Sequence, residues 1–333
     1  PDLADILLYH VIPNPISEQA LLAALDDGPV VVETLNGSVL VITLDGGTVF
    51  VNGKAVTTTD VIASNGIIHA IDGVLIPPKN IPTVATEAGF TTLVTALIEA
   101  ELAEALEGDG PFTVFAPDNA AFDALMAELG VTAAGLLANP DLADILLYHV
   151  VDGQVFSFDL LVALEDGPVV VETLNGNNII ITLDGGNIFV NGVQVSTADV
   201  LASNGVVHVI GEVLLPPANI PTVATNAGIF TTLLAALVEA ELVEALEADG
   251  PFTVFAPNDD AFDAFFTEEG ITAGALLADP ELADILLHHV VSGAFYARDV
   301  LDILAEEDSF TLETLQGDEL TFTLSDDGVL VNG

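Results

Sequence analysis

Apolar and polar positions along the chain change their period partway through a long repeating unit. In FTTLVTALIEA (residues 90–100), apolar residues recur at i, i+3, i+4, i+7 and i+8, which predicts an amphipathic helix. In VVVETLNG (169–176) and NIIITLDGG (178–186), short apolar runs end in Asn-Gly or Asp-Gly-Gly, which predicts strands joined by tight turns. Helices followed by a strand meander indicate an α+β fold, with helices packed against a small β-sandwich or sheet.

The stretch PFTVFAPDNAAFDAL, at 111–125, predicts a strand that leads directly into a helix. Successive side chains of a strand face opposite sides, so Phe115 should face away from Phe112, Val114 and Ala116. Asp118 or Asn119 is a suitable N-cap for the helix. The same sequence pattern returns at 251–265, which indicates that each repeat builds its own core.

Three further local predictions concern the ends of each repeat. The joints PPKNIPTVAT (77–86) and PPANIPTVAT (216–225) favour extended, semi-rigid connectors because proline fixes the backbone. Asp199 is predicted to cap a short helical turn, DVLAS. The segment EVLLP (212–216) is predicted to form a final strand.

The repeat period has the length of a whole domain. PDLADILLYHV starts at residue 1 and again at 140, and the variant PELADILLHHV starts at 280, so the spacings are 140 − 1 = 139 and 280 − 140 = 140. We therefore predict three repeats: 1–81 is the C-terminal part of a domain (repeat 1), 82–220 is a complete domain (repeat 2), and 221–333 is the N-terminal part of a third (repeat 3). Repeat 3 stops before an ASNGVVH segment, and the partial repeats lead us to expect neighbouring repeats on both sides.

The net charge of the chain restricts the kinds of partner that it can bind. The chain has 51 acidic residues and three basic ones, Lys54, Lys79 and Arg298, which gives a net charge of −48. Nucleic acid is disfavoured because phosphate contacts need Lys and Arg. The electrostatic field of this negative charge attracts cations, so we expect a salt-rich or extracellular environment. The alternative is that the Asp and Glu residues simply keep the protein surface soluble. No apolar run reaches the ~18 residues of a membrane span, and the absence of Cys excludes disulfides.

The blocks TVFAPDNAAF (113–122), LLYHVV (146–151) and NGVVHVIGEVLLP (204–216), in this order, resemble the fasciclin domain family. The resemblance implies a compact α+β domain with a β-sandwich-like core, commonly in tandem and usually not an enzyme. It also implies an extracellular or cell-surface location, with a role in adhesion. We therefore expect a structural or adhesive protein in a filament or surface stalk, whose partners are neighbouring copies of itself and surface or matrix components. The alternative is a module that binds a glycan or a small apolar molecule.

The resemblance also points to a central Tyr-His block as an adhesion site. Its residues are Tyr9, His10, Tyr148, His149, His288 and His289. His288 replaces tyrosine in repeat 3, which puts the role of that repeat in doubt. From the residues themselves, these histidines, with His69 and His208, are either core side chains bonded to backbone or metal ligands and bases. The sequence contains no HxH or HExxH spacing, the patterns that would favour a metal site.

Candidate chemistry elsewhere is sparse. The Asp-Gly-Gly turns at Asp45 and Asp184 do not have the ligand spacing of an EF-hand. Binding of calcium or other cations by surface carboxylates is left open, and we name no ligand set for it. We expect no cofactor. A Ser203–His208–Asp199 triad can be written, but the sequence has no nucleophile elbow, so we expect no enzyme activity.

Overall fold

Helices predominate in the first part of each repeat and strands in the second in the computed structural model, which describes residues 2–248, 250–325 and 328–332. Repeat 1 contains α1 (Leu3–Leu8), α2 (Glu18–Leu25), β1 (Val30–Glu33), β2 (Val39–Asp45), β3 (Thr48–Val51), β4 (Lys54–Ala63) and β5 (Gly66–Ile71). Repeat 2 contains α3 (Ile81–Glu87), α4 (Thr91–Glu99), α5 (Ala103–Glu107), β6 (Phe112–Pro117), α6 (Asn119–Leu129), α7 (Ala133–Leu137), α8 (Leu142–Leu147), β7 (Val150–Asp152), α9 (Ser157–Ala163), β8 (Val169–Glu172), β9 (Asn178–Asp184), β10 (Asn187–Val190), β11 (Val193–Ala202) and β12 (Gly205–Ile210).

Repeat 3 has the same order of elements as far as its third meander strand. It contains α10 (Ile220–Ala227), α11 (Thr231–Glu239), α12 (Val243–Glu247), β13 (Phe252–Val254), α13 (Asp259–Glu269), α14 (Ala273–Leu277), α15 (Leu282–Leu287), β14 (Val290–Ser292), α16 (Ala297–Glu306), β15 (Ser309–Glu313), β16 (Glu319–Ser325) and β17 (Gly328–Val331). The chain divides into two units, Pro1–Pro216 and Pro217–Gly333.

The predicted strand-to-helix junction is confirmed. The Asp118 carboxylate accepts a hydrogen bond from the Ala121 N–H at 2.8 Å, so Asp118 is the N-cap of α6. Gly130 ends the helix with a φ of 65°, a left-handed conformation that favours glycine. The cap lies between the buried strand β6 and helix α6, which folds back over that strand.

The connectors are not extended throughout, so that prediction was wrong from Asn80 and Asn219 onward. The Asn80 side chain accepts from the Thr83 N–H and caps α3, and Asn219 caps α10 in the same way. Proline in the first helical turn sacrifices no hydrogen bond, because the first N–H groups of a helix have no partner within it. The Pro-Pro pairs that precede these caps remain non-helical.

Asp199 does not cap the turn that follows it. It lies inside β11, where register shifts mark a bulge, and its φ is 58°. Its carboxylate instead accepts from the Ser157 N–H at 2.8 Å and from the Ser157 hydroxyl, which caps α9 forty-two residues earlier. The segment 212–216 forms no strand, because its Leu214 N–H binds a histidine ring.

The strands of repeat 2 form one seven-stranded sheet in the order β7-β6-β12-β11-β10-β9-β8. Strands β6 and β12 pair in parallel, with Gly205 opposite Phe112 and Ile210 opposite Pro117, whereas the other pairs are antiparallel. We call β6 and β13 the opening strands, and β4–β5 and β11–β12 the closing hairpins. The parallel pair therefore joins the beginning of the domain to its end.

Two buried clusters lie on opposite faces of β6, as its alternation predicts. Val114 and Ala116 pack with the helices and with Val207 of β12, forming what we call the helical core. Phe115 faces the other way and packs with Tyr148 and residues of the meander, the sheet core. The closing hairpin thus contributes to the core that the helices form.

Candidate functional site

Tyr148 ties the end of α8 to the meander. Its side chain is 2% exposed, and its hydroxyl donates to the Asn178 carbonyl at 2.9 Å while accepting from the Asn191 amide at 2.8 Å. The Asn191 side chain in turn accepts from the Ile180 N–H at 2.8 Å. The buried phenol therefore links the end of α8 to the strand meander through these hydrogen bonds.

Tyr9 makes the same contacts in repeat 1. Its hydroxyl donates to the Val39 carbonyl at 2.8 Å and accepts from the Asn52 amide at 2.7 Å. Burial raises the pKa of Tyr9, and the hydrogen bond from Asn52 opposes this rise. The phenol stays protonated at neutral pH and so remains a donor.

His149 ties the same turn to the end of the repeat. Its Nδ1–H donates to the Ile145 carbonyl at 2.7 Å, and its Nε2 accepts from the Leu214 N–H at 2.8 Å. These two bonds fix one neutral tautomer. Burial lowers the pKa of His149 to about 4, against the opposing effect of the bond to Ile145. His10 makes the equivalent bonds in repeat 1, to the Ile6 carbonyl and from the Leu75 N–H.

His208 belongs to the closing hairpin and also binds backbone. Its Nε2–H donates to the Val155 carbonyl at 2.9 Å, its Nδ1 accepts from the Asp199 N–H at 3.3 Å, and its ring stacks on Phe115. Burial lowers the pKa of His208, while the bond to Val155 and the charge of Asp199 oppose the shift. The structure does not bring Ser203, His208 and Asp199 together as a triad, because both ring nitrogens bind backbone and the Asp199 carboxylate binds Ser157.

Repeat 3 keeps only part of this arrangement. His289 donates from Nδ1 to the Ile285 carbonyl at 2.8 Å, and the His288 ring lies edge-on to it with 6.2 Å between centroids. Among the described residues, no group of three His, Cys, Asp or Glu side chains is placed to hold a metal ion.

A groove of about 410 Å³ opens beside the opening strand of repeat 3. We call it the third-repeat groove; its lining includes Ile220, Val223, Phe252, Val254, Ala256 and His289. The equivalent space in repeat 2 holds the closing hairpin, whose Ala202 and Val207 belong to the helical core. The sequence patterns did not predict an apolar groove at this place.

A second cavity, of about 760 Å³, lies in the first unit between repeats 1 and 2. Its lining is polar and carries the carboxylates of Asp5, Glu33, Glu107 and Asp109. Lys79 also lines it and forms an ion pair with Glu87. The chemistry of this cavity suits cations or hydroxyl-rich molecules.

Comparison with known proteins adds a consistent result. The family model described as "Fasciclin domain" matches residues 1–77, 88–216 and 228–333. The chain is 29% identical to transforming growth factor-beta-induced protein ig-h3 of Sus scrofa over 99% of this chain and 45% of that protein. It is 32% identical to Homo sapiens periostin over 77% of this chain and 30% of that protein. It therefore spans less than half the length of either relative.

Two further matches are shorter or weaker. Protein sll1483 of Synechocystis is 46% identical over 130 residues, which is 38% of this chain and 68% of that protein. A solved FAS1 domain pair from the insect cell adhesion molecule Fasciclin I covers 63% of this chain and 79% of its own, with 22% identity and a TM-score of 0.38. None of the helices in the described ranges has the length and hydropathy needed to cross a bilayer.

Proposed function

The chain belongs to the fasciclin domain family, and from that premise we propose that it is an extracellular structural or adhesive protein. Its repeats act as anionic beads in a filament or surface stalk, spaced by the Pro-Pro joints at 77–78 and 216–217. Cohesion comes from contacts between domain faces and from cations that bridge them. The partners are other molecules of this protein and components of the cell surface or matrix.

The observation that carries this proposal is the surplus of carboxylates over cationic side chains. The sequence has 51 acidic residues against three basic ones, and two of those three, Lys79 and Arg298, already pair with Glu87 and Asp302. Facing domains of this charge repel each other until counterions accumulate between them. Divalent ions with oxygen ligands can then hold carboxylates of two faces at once.

The Tyr-His block serves adhesion indirectly in this proposal. Because Tyr9 and Tyr148 point inward and bind backbone, they hold the meander turns in place, and those turns present the outer surface. In repeat 3, His288 occupies the tyrosine position, so this repeat lacks the phenol that makes these hydrogen bonds. The block is therefore proposed as a support for the adhesive surface.

A bead-clumping assay tests cation bridging. Latex beads coated with the full chain should clump when calcium reaches on the order of 1 mM, the range of extracellular calcium modules. Clumping should reverse with a chelator, and sodium chloride at the same ionic strength should not reproduce it, because screening alone bridges nothing. Beads that stay dispersed at every calcium concentration, or that clump equally in sodium, contradict the cation-bridging proposal.

The third-repeat groove favours the second candidate function, binding of a small apolar molecule or a glycan. Its volume of about 410 Å³ lies in the range of small-molecule sites, and apolar side chains dominate its walls.

A further inference from the structure

The sequence contains a single Asp-Pro bond, between Asp279 and Pro280. It lies in the exposed turn that joins α14 to α15. The proline nitrogen carries no hydrogen and belongs to a tertiary amide, which accepts a proton more readily than an ordinary peptide nitrogen. A protonated amide nitrogen is a good leaving group, and the aspartate carboxylate is a nucleophile within reach of the carbonyl carbon. This turn therefore combines the two groups that intramolecular cleavage of a peptide bond requires.

The turn holds the Asp279 side chain beside this bond. One carboxylate oxygen accepts from the Glu281 N–H at 2.9 Å, which closes an Asx-turn. The ring that this hydrogen bond closes includes the Asp279–Pro280 peptide bond, so the carboxylate lies alongside it. The second carboxylate oxygen has no hydrogen bond within the described residues and is available as a nucleophile.

The carbonyl oxygen that gains charge during such an attack already has a donor. The Asp279 carbonyl accepts from the Leu282 N–H at 3.1 Å. Leu282 is buried in the cluster that packs α15 against α11 and α14, which fixes the position of this N–H. A donor that is in place before the reaction stabilises the developing oxyanion without reorganisation.

We propose that Asp279 cleaves its own peptide bond to Pro280 in mildly acidic solution. A carboxylate oxygen of Asp279 attacks the Asp279 carbonyl carbon, and a five-membered cyclic anhydride forms as the C–N bond to Pro280 breaks. The Pro280 nitrogen takes a proton from the solvent and leaves as a secondary amine. One water molecule then hydrolyses the anhydride and restores the Asp279 side chain, so the net reaction is hydrolysis of one peptide bond.

The charged side chains on the helices around this bond are acidic. Glu281 and Asp284 lie at the start of α15, α14 has no charged residue, and α11, which packs against both helices, ends at Glu239. A negative potential attracts cations, protons among them, to the leaving nitrogen. The surroundings therefore favour the acid-promoted step.

Repeat 2 provides an internal comparison, because Asn139–Pro140 occupies the same turn between α7 and α8. The Asn139 side chain accepts from the Asp141 N–H at 3.0 Å, and the Asn139 carbonyl accepts from the Leu142 N–H at 3.1 Å. The two turns thus have the same hydrogen bonds, but one has a carboxylate and the other an amide. An amide is a much weaker nucleophile because its nitrogen lone pair is delocalised into the carbonyl group. Of these two bonds, the one in repeat 3 should break.

Cleavage leaves the two parts of repeat 3 in contact. Helix α15, after the bond, packs against α11 and α14, before it, through Leu282, Leu286 and Leu276. Strands β13 and β14, which also lie on opposite sides of the bond, remain paired. The product is therefore a nicked repeat whose two parts separate when it unfolds.

Denaturing mass spectrometry of the full chain follows the reaction over several days at about pH 4.5, where protons are supplied and carboxylates stay largely ionised. Circular dichroism verifies that the chain stays folded, and a synthetic peptide of residues 274–286 is the unfolded reference. The folded chain should break at Asp279–Pro280 at least about tenfold faster than the peptide, because the turn holds the reacting groups in place.

Two reciprocal substitutions identify the nucleophile. Asp279→Asn keeps an oxygen that accepts from the Glu281 N–H, as Asn139 does in repeat 2, so the turn should fold and cleavage should fall below detection. Asn139→Asp should create a second break, between residues 139 and 140.

The inference is wrong if the folded chain stays intact or breaks no faster than the peptide. It is also wrong if Asp279→Asn breaks at the wild-type rate, or if a folded Asn139→Asp chain stays intact between residues 139 and 140. The measurement uses neither calcium nor a second molecule, so its outcome is independent of the proposed cohesive function.

Discussion

Gly205→Ala is expected to lower the unfolding free energy of repeat 2 by at least about 3 kcal/mol, beyond the usual cost of overpacking. The new Cβ would lie 2.0 Å from the Phe112 carbonyl oxygen and 2.9 Å from the Phe112 nitrogen. Asn204 accepts hydrogen bonds from the Ile81 N–H and the Phe112 N–H, which hold the turn close to the opening strand. The clash therefore separates the opening strand from the closing hairpin.

Denaturant unfolding followed by far-ultraviolet circular dichroism measures this loss. The matched control is Gly66→Ala, which makes the same chemical change in the same ASNG turn, where a Cβ has open space. We expect the control to remain within about 1 kcal/mol of the wild type. Equal losses in the two variants would contradict the close approach of the strands as the cause.

Acidification is expected to destabilise repeat 2 through His149. Its pKa is 6.5 in an unfolded chain and about 4 when buried, so between these values the unfolded state binds the proton more readily. The stability present above pH 6.5 is lost as the pH falls towards 4. The difference of about 2.5 pH units corresponds to about 3 kcal/mol at 1.36 kcal/mol per unit.

His149→Gln separates this effect from the rest of the acid response. Glutamine keeps one donor and one acceptor but does not titrate, so the slope of stability against pH between about 4 and 6.5 should flatten. Protonation of surface carboxylates relieves charge repulsion in both proteins and cancels in the comparison. Tyr148→Phe, which also loses buried hydrogen bonds, should be less stable at every pH but keep the wild-type slope. Parallel curves for the wild type and His149→Gln would contradict the assignment.

Sequence patterns predicted the elements whose signals are local. The two candidate caps, Asp118 and Asn119, include the observed one, Asp118, and alternation placed Phe115 on the opposite face from Val114. The family resemblance was confirmed by the match of the family model to residues 1–77, 88–216 and 228–333. Its motifs lie at the parallel strand pair and at the turn that joins the helices to the meander.

Long-range contacts explain the errors. Asp199 has the sequence features of a local cap, yet the bulge in β11 turns its carboxylate towards Ser157, forty-two residues away. The end of repeat 2 is apolar enough for a strand, but its Leu214 N–H binds His149 instead of a strand. The inward direction of Tyr148 was also unpredictable, since its partners Asn178 and Asn191 are distant in sequence.

The central claim is that the parallel pairing of the opening strand β6 with the closing hairpin β11–β12 completes repeat 2. Hydrogen exchange of the identical segments 111–117 and 251–257 tests it within one molecule. The account predicts slow exchange at the Phe112, Val114 and Ala116 amides and fast exchange at Phe252, Val254 and Ala256. Equal protection of the two segments would contradict it.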